Sequence, residues 1–199
     1  MRVFVAVFPP PGVQEALVQA ARALPTDAFR LTAPERVHLT LKFLGEVPTE
    51  DLPRASSALE RVGQQGGPFD ATVSGFGAFP SARRASILWA GIGQGAEELV
   101  TLARAVEDLL EPEGFAREDK PFVPHLTLGR ARRPVPFDAG EATLPRLGFS
   151  VGALDLVESR QGASGVTYSV LERYPLGRHQ PPAVGYRRDA GAPSRDADG

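Results

Sequence analysis

The tetrapeptide His-Leu-Thr-Leu occurs twice in this chain, at His38 to Leu41 and at His125 to Leu128, and each copy closes the same succession of local signals. In the first half, Arg2 to Phe8 is rich in Val and Phe and bounded by Pro9-Pro10-Pro11, which reads as a largely buried strand. Val13, Ala16, Leu17, Ala20 and Leu24 then fall at helical spacing, and Pro25 closes the helix. After an irregular stretch from Thr26 to Glu35, the run Val37 to Leu44 is a strand that carries the first tetrapeptide. The second half repeats the order. Ala85 to Ile92 is β-rich, Leu99, Leu102, Val106 and Leu109 mark a helix, and Phe122 to Arg130 carries the second tetrapeptide. Strand, helix, strand twice over is an internal duplication, on a period far longer than those of solenoids.

Between the two units, Thr49 is placed to cap a helix in which Leu52, Ala55, Leu59 and Val62 share a face, with Pro53 in its first turn. Gly63 to Pro68 is expected to break that helix. Phe69 to Phe79 reads as a strand, and Pro80-Ser81-Ala82-Arg83-Arg84 as the turn into the next. Late strands are expected at Leu147 to Glu158 and Val166 to Tyr174, separated by the turn-like Gln161-Gly162-Ala163-Ser164-Gly165. From Arg178 onward Pro, Gly, Arg and Asp dominate, so residues 178–199 are expected to be a disordered tail on a single bilobal domain spanning 1–177.

The 199 residues are 42% hydrophobic, enough for a real core in one large domain or two fused lobes. No apolar run approaches bilayer-spanning length, and the start meets prolines too early for a secretory signal, so the expectation is a cytoplasmic protein away from the membrane, acting as a monomer. Cysteine is absent, which removes disulfides, thiolate nucleophiles and sulfur-based zinc sites. A formal net charge of −2 disfavours a protein that coats long nucleic acid with basic contacts. A nucleic-acid substrate would have to be recognised at an end or over a short stretch.

Alternate side chains of a strand share a face, so His38 and Thr40 point one way and Leu39 and Leu41 the other, and the second copy behaves alike. If the halves are related by an approximate two-fold axis, both His/Thr faces meet across one groove. Such a pair suits a phosphodiester. Imidazole titrates near neutrality, so one ring can take a proton from water while the other gives one to the leaving oxygen. The hydroxyls of Thr40 and Thr127 can hold non-bridging oxygens as charge builds on them.

A lone histidine in a strand is usually a packing residue, but two in identical tetrapeptides at equivalent places argue for a shared groove. A zinc site is the weaker alternative, because two histidines fall short of the usual three or four ligands and no acidic residue shares their spacing. No metal or other cofactor is expected. Lys42 lies on the His38/Thr40 face if the strand stays regular; otherwise it is a solvated surface lysine. Arg130 belongs with Leu126 and Leu128 by strict alternation, and reaches the cleft only if the strand bends or bulges at Gly129. Phe43 and Phe122 are candidates to stack on a base, with core packing the commoner fate of Phe.

At these residues the sequence resembles the 2H phosphoesterase superfamily, named for two His-x-Thr/Ser-x motifs, and within it the RNA 2',3'-cyclic phosphodiesterases, also called LigT-like or 2'-5' RNA ligases. The resemblance extends over Arg2 to Val7, Pro34 to Val47, Pro121 to Arg130 and Tyr168 to Leu176. It implies an α+β, two-lobed, pseudo-symmetric fold, with antiparallel sheets lining a central groove and helices packed outside. It also implies hydrolysis of RNA 2',3'-cyclic phosphate ends, or of small cyclic nucleotides, to a 2'-phosphate. His38 would be the proton donor and His125 the proton acceptor, with Thr40, Thr127 and Arg130 on the phosphate. ATP-independent 2'-5' ligation as the main activity, or a module that binds an RNA end without turning it over, are the other readings.

Overall fold

The computed structural model describes residues 1–24, 27–139, 144–162 and 165–177; the expected tail from Arg178 lies outside them. Nine strands form two antiparallel sheets among the described residues. The first sheet has four strands in the order β3-β1-β8-β9, where β1 is Arg2–Val7, β3 Leu39–Glu46, β8 Ala153–Gly162 and β9 Gly165–Pro175. The second has five in the order β2-β6-β5-β4-β7, where β2 is Phe29–Leu31, β4 Phe69–Phe79, β5 Ala85–Ile92, β6 His125–Val135 and β7 Gly148–Val151. Three α-helices lie among the described residues: α1 Pro11–Arg22, α2 Leu52–Gln65 and α3 Ala96–Leu110.

The duplication is visible in the pairing. β1 pairs antiparallel with β3, and β5 with β6, so each tetrapeptide strand lies beside the strand that opens its own unit. Each connecting helix crosses to the other sheet: α1, between β1 and β3, packs on β2 and β6, whereas α3, between β5 and β6, packs on β3 and α2. Antiparallel partners need no crossover helix on their own sheet, which leaves each helix available to cover its neighbour. The exchange ties the two lobes into one apolar core, in which Leu39, Leu126 and Leu128 are fully buried with Leu17 of α1 and Leu99 of α3. At roughly 1.5–3 kcal/mol for each buried leucine, the leucine faces fix which way the tetrapeptides turn.

Beyond shifts of two to five residues at the ends of β3 and β6 relative to the runs Val37 to Leu44 and Phe122 to Arg130, four boundaries differ from the sequence reading, each for a physical reason. Thr49 opens a 3-10 turn, Thr49–Asp51, and makes no side-chain cap; α2 begins at Leu52. Gly63 does not break α2. A Cβ there would come within 2.7 Å of the Pro175 carbonyl oxygen, so glycine lets the helix lie against the end of β9. The run from Leu147 to Glu158 is two strands in different sheets, β7 beside β4 and β8 beside β1, parted at Gly152. Its burial pattern slips phase there, with Phe149 and Val151 buried before the break and Leu154 and Leu156 after it. Finally, β2 falls inside the stretch read as irregular: three residues suffice because Phe29, Arg30 and Leu31 pair with Ala131, Arg130 and Gly129.

Candidate active site

His38 stands at the entrance of β3 and His125 is the first residue of β6. Both rings are held the same way. His38 Nδ1 lies 2.8 Å from the Arg36 carbonyl oxygen and His125 Nδ1 lies 2.7 Å from that of Val123, in each case two residues back. A carbonyl oxygen only accepts, so Nδ1 carries the hydrogen and Nε2 is the nitrogen available for proton exchange. The approach to His38 is braced twice more. Gln14, buried in α1, donates to the Val37 carbonyl at 2.8 Å, and Arg36 Nη1 donates to the Val166 carbonyl of β9 at 3.0 Å.

Aromatic rings enclose both imidazoles. His38 meets Phe4, Phe8 and Tyr168 at centroid distances of 4.9, 5.3 and 5.1 Å, and Phe4, Ala6 and Val157 form a small second apolar cluster beneath it. His125 meets Phe79 edge-on at 4.9 Å and Trp89 at 6.3 Å. Trp89 lies over its cross-strand partner Gly77, where a Cβ would come within 2.2 Å of the indole ring. Burial, which disfavours a charged imidazole, holds His38 at about 4, against the upward pull of the Arg36 carbonyl and with smaller downward contributions from His125 and Arg130. His125 is lowered too, first by burial and then by Arg130, against the pull of the Val123 carbonyl. Each ring thus responds to Arg130, and His38 also to His125, so the three groups share one electrostatic site.

A bulge follows the threonine in each motif. Pairing along β1 skips Leu41, with Val5 opposite Lys42 and Ala6 opposite Thr40; pairing along β5 skips Leu128, with Leu88 opposite Gly129 and Trp89 opposite Thr127. One extra residue inverts every side chain beyond it. Thr40 pairs with Ala6 on the face of the aromatic cluster, and Thr127 with Trp89 on the face of His125, so both hydroxyl residues share a face with a histidine.

The inversion corrects the expectation for Lys42. It does not share the His38/Thr40 face; it is buried on the core side, where Nζ donates to Glu107 of α3 at 2.7 Å and to the Ala116 carbonyl at 2.6 Å. Its charge is consumed by that pair. Phe43 takes the groove side instead, 56% exposed and 6.1 Å from the Phe4 ring. Arg130, exposed and opposite Ile87, is brought onto the Thr127 side by the same device. Phe122 packs against the main core. The sequence reading did not single out Phe4, Phe8, Tyr168, Phe79 or Trp89 for the site, because their relation to the histidines depends on cross-strand register; nor did it single out Arg36, whose carbonyl holds His38 from two residues back.

The model of the 2'-5' RNA ligase superfamily matches residues 9–163. The chain belongs to that superfamily. A Thermus thermophilus RNA 2',3'-cyclic phosphodiesterase is 37% identical over 196 residues, covering 94% of this chain and 98% of the relative. The crystal structure of the Thermus thermophilus protein TT0787 superposes with a TM-score of 0.79 at 33% identity, over 90% of this chain and all of that one. Escherichia coli LigT complexed with 3'-AMP gives a TM-score of 0.72 at 28% identity, over 88% and 97% of the two chains. With these relatives the α+β arrangement of antiparallel sheets is that of the 2H phosphoesterases.

Proposed function

We propose that this protein hydrolyses RNA 2',3'-cyclic phosphate ends to a 2'-phosphate by two-histidine acid-base catalysis without a metal ion. The observation that carries the reading is the matched pair of imidazoles, each with Nδ1 tied to a carbonyl two residues back and both under the influence of one arginine. Curated relatives named RNA 2',3'-cyclic phosphodiesterase support the substrate class.

Nε2 of His125 accepts a proton from water as the water oxygen bonds to phosphorus. The bond from phosphorus to the ribose 3' oxygen breaks, and Nε2 of His38 gives that oxygen its proton, leaving a 3'-hydroxyl and a 2'-phosphate. Charge grows on the non-bridging oxygens in between. The hydroxyls of Thr40 and Thr127 donate to them, and the Arg130 guanidinium adds a full positive charge that needs no proton balance. Phe43, over Phe4 at the groove's first-sheet wall, offers a face on which the terminal base stacks. The superfamily's name supports ligation as the related reaction, in which a ribose 5'-hydroxyl replaces water and the same groups serve.

The test is incubation of the purified protein with a short RNA bearing a 2',3'-cyclic end, in excess chelator, with identification of the phosphate isomer. A 2'-phosphate is expected. A 3'-phosphate would mean that the 2' oxygen is the leaving group and would overturn the bond cleavage and the proton donation written above, and turnover abolished by chelator would end the metal-free mechanism.

A further inference from the structure

Arg30 and Arg130 sit directly opposite each other on β2 and β6. Like charges in a cross-strand pair weaken a sheet. Arg132 and Arg133 follow on β6, and all four arginines are exposed and line one open hollow of about 560 Å³ together with Phe29. Asp27 also lines it, but among the described residues none of the four guanidiniums makes an ion pair with a carboxylate. Elsewhere Arg54, Arg61, Arg117, Arg160 and Arg173 are each held by an acidic side chain. Arg2, Arg22, Arg83, Arg84, Arg104 and Arg146 also make no ion pair with a carboxylate among the described residues, but they lie outside the hollow. What sets the hollow apart is that it gathers four such arginines on a chain whose formal net charge is −2.

Arg130 is common to the hollow and the histidine site: it lines the hollow, it lies on the Thr127 side of β6, and its charge acts on both His38 and His125. Two residues along a strand span roughly 7 Å and neighbouring strands lie about 5 Å apart. Arg30, Arg132 and Arg133 are thus spread over more length than one phosphate occupies. A cluster so placed repels itself until a polyanion lies across it, which is how arginine-lined tracks hold a single strand beside a reactive site.

We infer that the Arg30, Arg132 and Arg133 cluster is a subsite for the internucleotide phosphates of the RNA strand leading up to the cyclic end, so that this enzyme acts on polynucleotide ends in preference to cyclic mononucleotides. The inference rests on the function proposed above and adds where the strand lies. Arg130 stays with the reacting phosphate, and the other three arginines set how much of the strand is bound.

The experiment compares kcat/KM for a short RNA with a 2',3'-cyclic end against that for a 2',3'-cyclic mononucleotide, in the wild type and in the triple variant R30Q/R132Q/R133Q. The ratio of RNA to mononucleotide is expected to fall about tenfold at low salt, with the slope of log kcat/KM on log salt shallower by roughly 0.7 for each phosphate no longer neutralised. The triple Lys variant should recover most of the salt slope. The thermal midpoint should not fall in the Gln variant, since it removes repulsion. A ratio that stays within about twofold of the wild type, or a fall shared equally by both substrates, overturns the subsite. Binding of a labelled short RNA ending in a 3'-phosphate is measured alongside by anisotropy. If the wild type turns over neither substrate, the proposed function fails, while weaker, less salt-sensitive binding by the Gln variant still supports the cluster and equal binding still refutes it.

Discussion

The motif strands of the two sheets agree up to the threonine and part company after the bulge. On both, His and Thr face the groove, leucines face the core, Nδ1 is tied two residues back and one extra residue then inverts the chain. Beyond it, the first sheet turns Lys42 inward and Phe43 outward, while the second turns Gly129 inward and Arg130 outward. The inward pair differs because the neighbours differ. β3 is an edge strand covered by α3, whose Glu107 needs a cation, whereas β6 is flanked by β2, where a Cβ on Gly129 would come within 3.2 Å of Leu31 and 3.4 Å of the Arg30 carbonyl. The outward pair differs in chemistry: an apolar ring on one wall, a guanidinium on the other. Two imidazoles held in the same way are placed between walls that differ, and on the function proposed above the pair thereby acquires one wall for the nucleobase and one for the phosphate.

Breaking the symmetric part should have the largest effect. His38→Ala and His125→Ala are each expected to lower kcat on a cyclic-phosphate RNA by about 1000-fold, since neither ring can perform both proton transfers; circular dichroism should show the fold retained in both. Near-normal turnover in either variant would remove that histidine from the chemistry. The asymmetric part comes next. Arg130→Gln should lower kcat by about 100-fold, as expected for loss of charge stabilisation at a developing phosphorane, whereas Phe43→Ala should raise KM by about tenfold with kcat little changed, as loss of one base stack does. If both variants act on the same parameter, the two walls do not divide the work.

The duplication, the face of His38, Thr40, His125 and Thr127, and most strands were legible in the sequence because they depend on residues two to four apart. What lay beyond reach depends on pairing. Strict alternation sent Lys42 to the groove and offered Arg130 to the cleft only through a bend or bulge at Gly129; a single unpaired residue on each strand turns Lys42 inward and Arg130 outward, and nothing in Leu-Lys-Phe announces the first of these. Gly77 beneath Trp89 and Tyr168 beside His38 are likewise partners of register, separated in sequence but adjacent across strands. The exchange of α1 and α3 between sheets has no local signature, since each helix carries an apolar face that would suit either sheet.

The inward difference is tested by stability. Lys42→Met removes the cation from a pair in which Lys42 is 1% and Glu107 15% exposed at the side chain. A largely buried carboxylate left without its partner, discounted for the solvent that still reaches Glu107, should cost about 2 kcal/mol. The midpoint of urea unfolding should move down accordingly, and kcat/KM should hold close to the wild-type value because Nζ faces α3 and not the groove. A fall in kcat/KM without a fall in stability would return Lys42 to the phosphate.

The smallest effect expected is on pH, and it separates the two histidines. Burial holds His38 at about 4 in the folded protein against 6.5 for the free side chain, so between these values the unfolded chain binds more protons and the folded state loses stability as pH falls from 6.5 towards 4. Near pH 5 this amounts to roughly 1 to 2 kcal/mol. The variant His38→Gln has no such term and should therefore gain on the wild type as the pH is lowered, with the difference vanishing above neutrality. The same direction governs activity. One ring must be protonated and the other neutral, and in the free enzyme both titrate below the usual histidine value, so kcat/KM should peak on the acid side of pH 6.5. A bound phosphate brings negative charge to the rings and favours their protonated forms, so the kcat profile should peak at higher pH than that of kcat/KM. Coincident profiles would mean that the phosphate does not sit between the two imidazoles, and the groove's apolar and cationic walls would then have to be orienting something other than the reacting group.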